Sequence, residues 1–145
     1  MDLYPIRAAK TAAVAAVAAL AGWKAFEALY AWADHAADEQ TSSGAANDAW
    51  AGFYHYIAAG LAGIVLMPLA VWAGLRLVRM RGNHLAVIVS GCVWFAVVAP
   101  HLVDRSPTAW EAVLWVSVQT FATAVASVMQ AVAFPESTQR KSPVP

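Results

Sequence analysis

The chain reads as an all-α integral membrane protein, a four-helix bundle with both termini on the cytoplasmic side. Three observations predict this: four long apolar runs, very little charge inside them, and basic residues that return at every second joint. Of 145 residues, 61% are hydrophobic and only 12% charged, against about 25% charged in an average soluble domain. Lipid is therefore the expected solvent of most of the chain, and a single domain spanning 1–134 is expected.

The runs cover about 8–32, 51–77, 85–103 and 112–134. Each approaches or exceeds the roughly 20 residues a helix needs to cross ~30 Å of hydrocarbon. Strands are not expected, because the runs are rich in alanine and leucine and lack period-2 alternation. Helices also satisfy their own backbone polar groups, as a bilayer requires. Between the runs lie Thr41-Ser42-Ser43-Gly44, Arg81-Gly82-Asn83 and Arg105-Ser106-Pro107-Thr108, which are turn and loop compositions. Pro68 and Pro100 predict kinks in the second and third spans. Pro135 stops the last helix, and 135–145 is expected to be a disordered cytoplasmic tail.

Orientation follows from the basic residues. Arg7 and Lys10 flank the first span, Arg76, Arg79 and Arg81 the middle turn, and Arg140 and Lys141 the tail. The joint 33–48 has neither Lys nor Arg, and the third joint has only Arg105. The positive-inside rule then places both termini and the middle turn in the cytoplasm of a plasma (inner) membrane protein. Tyr30, Trp32, Trp50, Tyr54, Tyr56 and Trp110 gather at the opposite interface, whereas Trp72 and Trp94 fit no aromatic belt. Arg7, Lys10 and the stretch 11–21 also have the form of a secretory signal with an Ala19-Leu20-Ala21 cleavage site.

Chemistry-bearing residues are few. His35, His55 and His101 map to the outer side, with Asp34 beside His35 and Asp104 three residues after His101. Imidazoles with carboxylates behind them can hold a metal, and opposed histidines a haem. No HxxH, HxxxH, CxxCH or HExxH spacing supports such a site. Interfacial histidines bonded to loop carbonyls are the expectation, with no metal and no cofactor. His84 belongs to the cytoplasmic turn. Cys92 has no second cysteine to pair with.

Lys24 and Glu27 fall inside the first span, where a central Lys costs ~2.5–3.5 kcal/mol. Their spacing predicts an intrahelical ion pair turned toward the bundle with Lys24 snorkelling. The rival is a proton or cation path along Glu27, Asp34 and Asp38. In the fourth span Ser117, Thr120, Thr123, Ser127 and Gln130 recur at helical steps, with Gln119 beside them. Such a stripe joins helices or lines a pore, and packing is the expected use. Small residues four apart, such as Ala8/Ala12/Ala16, Ala18/Gly22, Ala59/Gly63 and Ala70/Gly74, point the same way.

The zero formal charge argues against a nucleic-acid binder, which calls for a concentrated basic patch. No phosphate loop, nucleophile elbow or paired-acid motif marks an enzyme. The expected function is an accessory subunit or modulator without enzymatic activity, contacting the lipid bilayer and other membrane proteins or its own copies. Two alternatives stand beside it: a holin-like or channel-like homo-oligomer lined by the fourth span, and a metal- or haem-binding transport or redox subunit using the outer histidines.

Overall fold

Alanine and leucine lose little side-chain freedom in a helix, and the apolar runs fold accordingly. The computed structural model describes residues 3–44, 50–80, 83–101 and 109–133, with four helices among them: α1 (Leu3–Ser42), α2 (Phe53–Leu77), α3 (His84–His101) and α4 (Ala109–Ala133). The tail 135–145 lies outside the described residues. Each helix packs on its neighbours in a ring, α1 on α2 and α4, α3 on α2 and α4. Sequential neighbours run antiparallel: along α1, Val14, Gly22 and Phe26 meet Gly74, Met67 and Gly63 of α2 in descending order.

α1, α2 and α4 are long and apolar enough to cross a membrane; α3 is shorter. The third apolar run was expected to extend from 85 to 103; the helix is described over His84–His101, 18 residues, roughly 27 Å at 1.5 Å per residue, and 102–103 lie outside the described residues. α1 runs past its expected end. The segment 33–48, read as a joint, is helical through Ser42, making α1 40 residues long, about 60 Å. Nothing from Asp34 to Gln40 breaks a helix, so polarity there ends the apolar run without ending the helix. Gly44, at φ 65°, ends it, its N–H bonded to the Thr41 carbonyl at 3.1 Å.

The far end of α1 meets the start of α2 at Gly52. This residue has φ 71°, and a Cβ on it would stand 2.6 Å from Ala37 Cβ, so both its conformation and its neighbour require glycine. Gln40 Oε1 accepts the Gly52 N–H at 2.8 Å. Pro68 stays within α2, where a Cβ placed on Gly91 of α3 would meet its ring at ordinary contact distance.

On α1 the buried positions are Thr11, Ala15, Ala18, Ala19, Gly22, Phe26, Tyr30 and Ala33. Steps of three and four keep this stripe on one side of the helix. Met67, Val71, Trp94 and Val98 fill the space opposite. Trp94 is buried because it is a core residue, and its Nε1–H donates to the Gly63 carbonyl at 3.0 Å. Leu61, Ile88, Phe121 and Val132 are among the many large apolar side chains on the outside, an arrangement suited to a lipid solvent.

Candidate functional site

Three groups of polar residues are built into the bundle, and each is set by the helix that presents it. At the end that carries the N-terminus, Arg7 and Thr11 stand one turn apart on α1. Thr11 donates to Ser127 Oγ at 3.0 Å, and Arg7 Nε approaches the same oxygen at 3.4 Å. Ser127 donates to Asn83 Oδ1 at 3.4 Å, and the Arg7 guanidinium also donates to that oxygen. One amide oxygen therefore ties α1 to the start of α3 and to α4. The donors fix the orientation of the amide, leaving its Nδ2 buried with no partner among the described residues. Nearby, Gln130 Oε1 accepts the Leu85 N–H at 2.9 Å, satisfying a donor at the start of α3.

Halfway along α4, Gln119 Nε2 donates to the Ser90 carbonyl at 3.0 Å and to Ser90 Oγ at 2.6 Å. Thr123 bonds back to the Gln119 carbonyl at 2.7 Å. Gln119, Thr123 and Ser127 are buried and Thr120 is half-buried, with its Oγ1 enclosed. Ser117 is outside this seam: it is exposed and bonds to its own helix at the Val113 carbonyl. At ~100° per residue Ser117 lies about 120° around from Thr123, whereas Gln119 lies about 40° away. Gln119 is thus the better member of the stripe.

At the opposite end, Tyr56 donates to Asp34 Oδ1 at 2.6 Å, joining α2 to α1. His35 is exposed, while His55 is half-buried with its ring edge-on to Trp32 at 5.0 Å and its Nδ1 enclosed. The side chain of His101 and the whole of Asp104 lie outside the described residues. Among the described residues no three His, Cys, Asp or Glu side chains gather as a metal-binding group.

The Lys24–Glu27 ion pair is formed, Nζ to Oε2 at 2.7 Å, and Trp23 Nε1 adds a 3.0 Å bond to the other carboxylate oxygen. It faces away from the bundle, not into it as expected, with the side chains 78% and 49% exposed. The reason is angular: relative to Gly22 on the buried stripe, the two residues lie about 140–200° around the helix. Gly22 meets Met67 and Phe26 meets Gly63, so the pair sits level with the middle of α2.

Chemically, the interior seams are chains of hydrogen bonds that fix helix positions, with no nucleophile set beside a base among the described residues. No family model, curated protein or solved structure matches the chain. What the fold and these groups define is a small helical protein with three candidate membrane spans.

Proposed function

We propose that this protein spans the plasma (inner) membrane four times with both termini cytoplasmic, has no catalytic activity, and acts through lateral helix contacts as an accessory or modulatory subunit. The outward Lys24–Glu27 pair carries the reading. At mid-depth a lone chain would present an ammonium and a carboxylate to hydrocarbon, where a central Lys costs ~2.5–3.5 kcal/mol. A neighbouring membrane helix offering polar groups removes that exposure. The fourth span is supported by the ring itself, because α3 lies between α2 and α4 and shares their depth. Its ~27 Å is close to the ~30 Å of hydrocarbon. A pore between copies, lined by the α4 stripe, fits less well, since Thr123 and Ser127 are turned inside the chain's own bundle.

The test is a photo-crosslinking side chain at Leu20, one turn from Lys24 on the exposed face, compared with one at Phe95 on the outside of α3. A discrete adduct from Leu20 in native membranes, absent from Phe95, is expected, and its mass separates a second copy from a different subunit. No adduct at Leu20, with a monomeric mass on mild extraction, would refute the proposal.

A further inference from the structure

Two cavities on the α2–α3 seam meet end to end. The first, about 390 Å³, lies where α2 ends and α3 begins and is lined by Trp72, Arg76, Met80, Asn83, His84 and Val87. The second, about 420 Å³, continues toward the middle of the bundle between Ile64, Val65, Pro68, Leu69, Trp72 and Val87. Trp72 and Val87 belong to both, so the two form one groove with a polar head and an apolar tail.

The head is built for a negative charge. The Arg76 guanidinium lies 5.0 Å from the Trp72 ring centroid, and among the described residues no acidic side chain lines the cleft. Between Asp48 and Asp104 the sequence contains no acidic residue at all. The cleft also opens at the N-terminus of α3, where the helix dipole favours anions. Asn83 is 5% exposed, and with Oδ1 held by Arg7 and Ser127 its Nδ2 is a donor without a partner among the described residues. Apart from the Trp72 indole, the tail is lined by apolar side chains. Gly91 opposite Pro68 lets α2 and α3 approach without a side chain filling the space between them.

The dimensions suit one lipid. From Ile64 to Arg76 the groove follows α2 for roughly 18 Å, and one leaflet of hydrocarbon is about 15 Å deep, half of ~30 Å. We infer that the α2–α3 groove binds a phospholipid with an anionic headgroup, its phosphate at Arg76, His84 and Asn83 and an acyl chain along Ile64, Leu69 and Val87. This goes beyond lateral association and rests only on the chain being a membrane protein. It also gives Trp72 a place: at the waist of the groove, where headgroup and acyl chain meet.

The experiment uses the full chain in mild detergent, with phosphatidylglycerol or phosphatidylcholine of matched acyl chains added and retention measured by native mass spectrometry. Preferential retention of phosphatidylglycerol is expected. Arg76→Gln, an exposed position that leaves the fold intact, should lower it about tenfold, ~1.4 kcal/mol. Val87→Phe, which narrows the waist, should lower retention of both lipids while circular dichroism stays unchanged. Equal retention of the two lipids by the parent, or no change in Arg76→Gln, would overturn the inference. Displacement of the lipid by glycerol phosphate at equal concentration would assign the cleft to a soluble anion and overturn it as well. Failure here leaves the crosslinking test of α1 untouched, because the two surfaces lie on different helices.

Discussion

Replacing two helical glycines by alanine tests how tightly α1 and α2 are pressed together. A Cβ at Gly74 would lie 2.6 Å from Val14 Cγ1, whereas one at Gly91 would find Pro68 carbons at 3.6 and 3.7 Å. Optimal carbon–carbon separation is about 3.5–4.0 Å, so Gly91→Ala adds an ordinary contact and Gly74→Ala adds an overlap of roughly 1 Å. Val14 cannot swing away cheaply, since a β-branched side chain in a helix has one strongly preferred χ1 rotamer. Both substitutions gain the same helix propensity, on the order of 1 kcal/mol, and that gain cancels in their difference. What remains is overpacking, typically about 1–3 kcal/mol.

Gly74→Ala should therefore be less stable than Gly91→Ala by about 1–3 kcal/mol in SDS-driven unfolding from mixed micelles followed by tryptophan fluorescence. Adding Val14→Ala should restore most of the loss, because it removes the methyl that the new Cβ strikes. A double-mutant cycle then reads a coupling on the order of 1 kcal/mol or more. Equal stabilities for the two alanine variants, or additive effects of Val14→Ala and Gly74→Ala, would show that the α1–α2 contact is looser than these distances and refute the reasoning.

Other expectations concern the polar groups and the topology. Asn83→Ala leaves the part-buried Arg7 guanidinium without its amide partner and should cost about 2–3 kcal/mol, against about 1 kcal/mol for Ser127→Ala; the same unfolding titration measures both, and losses below about 0.5 kcal/mol in each would contradict the network. Lys24→Met alone strands Glu27 at mid-depth and should lower accumulation in membranes severalfold, while Lys24→Met with Glu27→Leu should recover it. Quantitative blotting decides this, and an equal fall in single and double variants would count against the pair's mutual neutralisation. In a Cys92→Ala background, Ser43→Cys should react with an impermeant thiol reagent in intact cells and Ser142→Cys should not, a pattern whose reversal would invert the assigned orientation.

The helical class was legible because apolar runs of this length have few other solutions. Direction around each helix was much less so, and the reason differs from helix to helix. On α4 the polar residues are sparse among bulky ones, and angular arithmetic alone separates Gln119 and Thr123, which are buried, from Ser117, which is exposed. On α1 the turns preceding Lys24 are mostly alanine, so several faces offer similar small surfaces and the sequence does not choose between them. The choice is made by Phe26 and Tyr30, whose tilted rings have centroids 4.5 Å apart with Phe26 against Gly63; burying them turns the ion pair outward.

The Arg7–Asn83–Ser127 junction was hidden for another reason: each residue already had an adequate local explanation. Arg7 reads as a topogenic charge and Asn83 as a turn residue, and partners 76 and 120 positions away leave no periodicity to detect. The available signal was Thr11, a hydroxyl one turn from a cation, on the same buried stripe as Ala15 and Ala18. A polar residue in register with a small-residue stripe faces the helix interface, where lipid supplies no partner, and Thr11 bonds both the Arg7 carbonyl of its own helix and Ser127 across the interface. By that argument a cation one turn away, at the helix end, is brought to the same junction. The charge that orients Arg7 toward the cytoplasm in the proposed topology thereby also fixes where α3 begins, and so the shape of the groove beside it.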